Sequence, residues 1–131
     1  MKALVDADFL VALAKEDDFN HKKALVKLAE LEDIIVFITP FAIPEAVTVL
    51  SYKLSQKAAS DFLASLRQKT FIELPMEKAV SEEADKIFLA RKEKGISWID
   101  CFNAASVKFY QLDGILSFDK FYKKVGITML L

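Results

Sequence analysis

The sequence predicts an α/β fold, a three-layer α/β/α sandwich on a central, mainly parallel sheet of about five strands. Short apolar, β-branched runs alternate with helical periodicity from one end of the chain to the other. Strands separated in this way by helices pair in parallel through right-handed crossovers. The 131 residues are 53% apolar with only 3 Gly and 3 Pro. That suits a single domain over residues 1–131 and argues against a disordered or loop-rich chain.

The elements follow in order. KALVD, residues 2–6, is an apolar run closed by an acid and reads as a buried strand. FLVALAKE opens a helix near Asp8, and Asp17 to Glu32 forms a second, with Ala24, Leu25, Leu28 and Leu31 as its apolar stripe. IIVFI, 34–38, is a second buried strand. Thr39-Pro40 supplies an N-cap and first-turn proline for a helix to about Leu54, and Ser55 caps the next, to about Lys69. TFIEL, 70–74, is a third strand, stopped by Pro75. Met76 to Lys94 is a long amphipathic helix closed by Gly95, and Ser97 starts another in WIDCFNAASVKFYQ. Asp113-Gly114 turns into strand ILS, 115–117; a short helix spans Phe118 to Lys124, and ITML, 127–130, is the last strand.

The net charge of -1 gives no overall basic field of the kind that marks a nucleic-acid binder. A nuclease stays open, because metal ions neutralise both an acidic site and a substrate phosphate. The one cysteine, Cys101, excludes an internal disulfide and any paired-cysteine zinc or redox motif, and fits a reducing compartment. Asp6 and Asp8 interrupt the apolar N-terminal stretch, which lacks a basic leader and cleavage site, and no run approaches a membrane span. A soluble, cytoplasmic protein with no membrane partner is expected.

In parallel α/β sheets, ligands sit outside the carboxyl ends of the strands. Asp6 ends the first strand, and Asp119 lies two residues past strand ILS. Glu45 is the one charge between Asp33 and Lys53, near the start of the helix leaving the second strand; Asp100 is the one charge between Lys94 and Lys108. All four are expected at one rim. Each has a plain structural reading as well. Ser97-x-x-Asp100 matches a capping box, Asp6 and Asp119 suit strand-end turns, and Glu45 complements a helix dipole. The coincidence at one edge favours a site, since gathered carboxylates repel unless cations neutralise them. Oxygen donors with a lone histidine and no cysteine cluster point to Mg²⁺ or Mn²⁺.

With these residues in view, the chain resembles PIN-domain proteins, and among them the compact VapC-type toxins of prokaryotic toxin–antitoxin pairs. The likeness is carried by LVDADFLVAL with Asp6, TPFAIPEAVTVL with Glu45, GISWIDCFNAASV with Asp100, and ILSFDKFYKKVGI with Ser117 and Asp119. Together they span nearly the whole chain. The resemblance implies a Mg²⁺- or Mn²⁺-dependent ribonuclease in which Asp6, Asp100 and Asp119 bind metal and Glu45 completes the acidic cluster, orienting or deprotonating the attacking water. Ser117 would support the site through its hydroxyl. It further implies an RNA substrate, a small antitoxin partner and a homodimer. The chain departs from the family in Asp8, where Asn or Ser is usual; a second acid there could bind metal, cap the first helix or alter the site. His21 opens the second helix, where such proteins often carry a histidine, and reads as a helix-start residue without catalytic work.

Substrate phosphates need cations. Arg91, Lys92 and Lys94 precede Asp100, Lys120, Lys123 and Lys124 follow Asp119, and Lys22, Lys23 and Lys27 lie on the second helix. Arg91, Lys94 and Lys120 are the candidates for phosphate contact, each with a solvated-face alternative. Trp98 and Phe102 read as core residues. Two other functions compete. Asp6-Ala7-Asp8 resembles the DxD signature of haloacid-dehalogenase-type phosphatases, which leaves Glu45 and Asp100 without a job. A non-catalytic PIN-like binding scaffold fits the fold but gives no reason for the acids.

Overall fold

The computed structural model describes all residues from Met1 to Leu131. β1 (Lys2–Val5) leads into α1 (Ala7–Ala14) and α2 (His21–Glu30), and β2 (Ile35–Ile38) into α3 (Ala42–Lys53) and α4 (Gln56–Arg67). β3 (Ile72–Glu73) is followed by α5 (Lys78–Ala90) and α6 (Trp98–Phe109), and β4 (Gly114–Leu116) by α7 (Phe121–Lys124). The sheet is parallel throughout, in the order β3-β2-β1-β4.

The strands are continuously apolar because both faces are covered. Ala3 and Val5 of β1 enter one core with α1, α3 and α4, while Leu4 enters the other with α5 and α6. On β4, Leu116 and Ile115 divide the same way, as the two-residue strand period requires. Leu4 and Leu50 are 0% and 1% exposed, one in each core, and burying each contributes about 2 kcal/mol.

The chain leaves β1 for β2 and β3 on one side and returns as β4 on the other. The carboxyl ends of β1 and β4 therefore flank the topological switch point, where a parallel sheet opens a crevice.

Several expectations are corrected. The sheet has four strands, not five: residues 127–130 contribute a single bridge, Ile115 to Met129, flanked by bonds from Ile115 to Thr128 and from Leu130 to Ile115. That segment passes so close to Gly114 that any Cβ there would collide with the Thr128 carbonyl, so Gly114 serves close approach inside β4 rather than a turn. Leu25 and Leu28 of α2 are 46% and 52% exposed, because α2 seats Ala24 in the core and turns these two outward, while Leu31, just past its end, packs against the core. Thr39 does not cap α3; the helix starts at Ala42 with Pro44 in its first turn, and Thr39 is buried. The helix expected to reach Lys94 ends at Ala90, and Gly95, at φ 84, turns the loop that follows.

Candidate active site

Asp6 follows β1 and caps α1, accepting from the Ala7 N–H at 2.8 Å. The Asn103 amide donates to the same oxygen at 3.3 Å, and the hydroxyls of Ser117 and Tyr122 donate to the other at 3.0 and 2.8 Å. Four donors from four parts of the chain thus fill the acceptor positions of one buried carboxylate. Asn103 is held in turn by the Thr39 hydroxyl, which donates to its carbonyl at 3.1 Å, and its amide also reaches the Tyr122 oxygen at 3.0 Å.

Each hydroxyl also serves a second acid. Ser117 lies 3.0 Å from Asp8 as well as Asp6, and Tyr122 lies 3.1 Å from Asp100. A hydroxyl carries one proton, so each can satisfy only one carboxylate fully at a time. Asp8 also accepts from the Phe118 N–H at 2.9 Å, so it clasps the loop after β4. Asp119, exposed at the rim, accepts from the Phe121 N–H at 2.9 Å, while its own N–H donates to Ser117.

Asp100 is half-buried at the start of α6. Ser97 accepts from its N–H at 3.3 Å, one half of the expected capping box, but the Asp100 carboxylate faces Tyr122 rather than closing the other half. Glu45 is half-buried on the first turn of α3, and one of its oxygens is buried without a partner; one oxygen of Asp8 is in the same state.

The acids act on one another. Burial, then the neighbouring Asp6 charge, pushes Asp8 and Asp100 up to about 7, and Asp119 and Glu45 add to the rise at Asp100. Burial and Asp6 also raise Glu45, while burial outweighs the hydrogen bonds at Asp6 and raises it too. Burial beside Asp6 and Asp100 raises Tyr122, which keeps its proton. Asp6, Asp8, Glu45, Asp100 and Asp119 therefore share one cleft.

This donor set fits a hard divalent cation. All donors are oxygens, and buried oxygens of Asp8 and Glu45 lack partners. No three acidic, histidine or cysteine side chains form a closed metal cage as they stand. Mg²⁺ does not require one, since it keeps several waters and takes one or two carboxylates with substrate phosphate. Asp100 and Asp119 offer open acceptor positions; Asp6 gains one when Ser117 or Tyr122 turns to its second acid.

Among the cations, Arg91 forms a two-pronged pair with Glu93 at 2.9 Å, whereas Lys94 and Lys120 border a pocket with Asp100 and Asp119. The His21 ring bonds the Ala12 carbonyl at 2.6 Å, tying α2 to α1. Phe102 is fully buried against Phe41 and Trp98, and the Trp98 N–H donates to Asp85. Sequence reasoning missed Asn103, Tyr122 and the role of Thr39. For Asn103 a signal was present, a polar residue one turn beyond Asp100 on a helix that is otherwise apolar there.

Fold and site define an α/β protein with an acidic cleft at the switch point of a parallel sheet. The chain belongs to the PIN domain family, whose model matches residues 3–127. In structure it is similar to VapC20 of Mycobacterium tuberculosis, described as a sarcin-ricin loop cleaving toxin, at 20% identity and a TM-score of 0.86 over 98% of both chains. It is also similar to VapBC2 of Rickettsia felis, seen bound to a promoter DNA fragment, at 12% identity and a TM-score of 0.69 over 96% of this chain and 94% of that one. A chain of a toxin–antitoxin complex from Klebsiella pneumoniae matches at 14% identity and a TM-score of 0.63 over 90% and 87%. No curated protein matches by sequence. No helix is long and apolar enough to cross a membrane.

Proposed function

We propose that the protein is a divalent-metal-dependent endoribonuclease that hydrolyses RNA phosphodiester bonds as the toxin of a toxin–antitoxin pair. The observation that carries the reading is the cleft where Asp6, Asp8, Glu45 and Asp100 have raised proton affinity, with Asp119 adding to the rise at Asp6 and Asp100, and where two buried oxygens are left without partners. Such a cluster destabilises the fold unless a cation joins it. A phosphatase using Asp6 and Asp8 fits less well, because it leaves Glu45 and Asp100, whose proton affinities rise beside Asp6, without a role.

Asp6, Asp100 and Asp119 would hold Mg²⁺ or Mn²⁺, which supplies an activated water and stabilises charge on the phosphoryl oxygens. Tyr122 and Asn103 fix the direction of the Asp6 carboxylate, and Ser117 sets the spacing between the β1 and β4 rims. Glu45 helps to orient the attacking water and shares in accepting its proton. Lys94 and Lys120 lie beside Asp100 and Asp119, where they can meet the phosphates flanking the scissile bond. In this reading a small antitoxin and a second copy of the chain are the protein partners. The exposed Leu25 and Leu28 of α2 offer apolar surface to such a partner.

The test is cleavage of structured and single-stranded RNA with Mn²⁺, with chelator, and with Asp100→Asn. Cleavage by the wild type alone, and only with metal, supports the reading. Equal cleavage by Asp100→Asn would assign the activity to a contaminant.

A further inference from the structure

Two lysine clusters far apart in sequence meet in the fold. Lys22, Lys23 and Lys27 of α2 face Lys120 and Lys123 across a groove of about 870 Å³. Glu30 is the only acid on its walls, and it pairs with Lys27 at 3.4 Å. Lys22, Lys23, Lys120 and Lys123 form no ion pair. On a chain of net charge -1, this is a concentrated positive surface.

The groove runs into the acidic cleft. Ser117, which bonds both Asp6 and Asp8, lies on its wall. Lys120 borders both this groove and the smaller pocket that holds Asp100 and Asp119. Its remaining wall is apolar, from Val26, Ile127 and Met129. Cations along an edge with apolar surface between them match a single strand, whose phosphates need charge and whose bases need area.

We infer that this groove carries the single-stranded RNA leading away from the scissile phosphate, with Lys22, Lys23, Lys27 and Lys123 tracking its backbone and Lys120 at the bend into the cleft. The inference rests on the ribonuclease reading and adds the direction the substrate takes: toward α2 rather than toward Arg91, which Glu93 already neutralises. An acidic segment of a protein partner matches the same charges. Lys120, shared with the pocket that holds Asp100 and Asp119, favours the strand that is cut, because a polymer bound at the cleft must leave it along some wall.

The experiment measures binding separately from cleavage. Asp100→Asn protein binds a fluorescent single-stranded RNA of about 16 nucleotides, long enough to fill a groove and cleft together, and anisotropy is followed against salt. Adding Lys22→Glu, Lys23→Glu and Lys123→Glu is expected to weaken binding at least ~30-fold and to lower the log–log salt slope by roughly 2, near 0.7 per lost phosphate contact. Lys57→Glu and Lys78→Glu, on lysines paired elsewhere, serve as charge controls with little change expected. Thermal melts check that each variant is folded; single Lys22→Ala and Lys123→Ala variants replace the triple if it is not.

Unchanged affinity and slope in folded groove variants would overturn the inference and leave the groove to an acidic protein segment. No RNA binding by the parent protein would overturn it as well. Groove-dependent binding without any cleavage by the wild type in Mn²⁺ would remove the ribonuclease reading, and with it the scissile phosphate, leaving the groove as an RNA-binding surface only. Cleavage with an unchanged KM in the groove variants would remove the inference alone.

Discussion

The inner and outer halves of the acidic cleft are built on different terms. On the inner side, Asp6 is buried with a donor for every acceptor position: one backbone N–H, one amide and two hydroxyls. On the outer side, Glu45, Asp100 and Asp119 are half-buried or exposed and sparsely bonded, and Glu45 has an orphaned oxygen. The inner carboxylate is a structural joint for β1, α6, β4 and α7. The outer ones hold charge that the fold leaves uncompensated. One cleft thus combines a fixed wall with an unsatisfied one, which is what a site completed by a cation and a phosphate requires.

The largest effects should separate these halves. Asp6→Ala leaves the Asn103 amide and two hydroxyls without their common acceptor in the interior and should cost about 3–5 kcal/mol of stability, read by chemical denaturation. Asp100→Asn should lower RNA cleavage by roughly 10³-fold while leaving the fold at least as stable. If Asp100→Asn destabilised the protein as much as Asp6→Ala, the division into a structural and a chemical half would be wrong.

The next effect concerns pH. Asp8 and Asp100 titrate at about 7 in the fold against an ordinary 3.8. Their folded values lie above the unfolded ones, so the stability they contribute is fully present below about pH 4 and is lost as pH rises through about 7. Metal-free protein should therefore melt roughly 5 °C higher at pH 5 than at pH 8. Mn²⁺ should recover most of that loss at pH 8, and Asp8→Asn should shrink the pH difference. A melting temperature flat from pH 5 to 8 without metal would mean that the acids do not repel as the geometry implies.

Tyr122→Phe tests the hinge between the halves, since one hydroxyl touches Asp6, Asp100 and Asn103. It should cost about 1 kcal/mol of stability. It should also weaken Mn²⁺ binding by roughly 10-fold in calorimetry, the usual penalty for removing a group that orients a ligand. Unaltered metal affinity would make the hydroxyl a filler of space.

Sequence patterning reached one half of the cleft better than the other. Asp6, Glu45, Asp100 and Asp119 were legible because each is a charge in an apolar run or at a strand end, and the parallel-sheet rule puts such ends on one rim. Thr39 and Tyr122 were not legible as site residues. A threonine before Pro40 looks like a helix cap, and a tyrosine among lysines looks like a surface residue; only the tertiary meeting of β2, α6 and α7 gives them partners. The stripe on α2 failed for a related reason: helical period shows which residues share a face, while what covers that face depends on neighbouring elements. Leu25 and Leu28 are left about half-exposed by theirs. The fifth strand failed because an apolar run records burial, whereas a strand also needs a partner over several residues, and residues 127–130 pair at one.

The smallest expected effect is at Glu45. Its carboxylate is raised by burial and by Asp6, yet it remains half-exposed, so water screens much of the repulsion. Glu45→Gln keeps the shape and removes the charge, and should stabilise the metal-free protein by no more than about 0.5 kcal/mol at pH 8. On cleavage, a residue that orients water without being the sole proton acceptor should cost roughly 10-fold, below the range of an essential general base. A loss as large as that of Asp100→Asn would transfer the base role wholly to Glu45. In that case the one acid on a largely apolar helix would be the chemical centre of the outer side, with the aspartates serving to hold the ion.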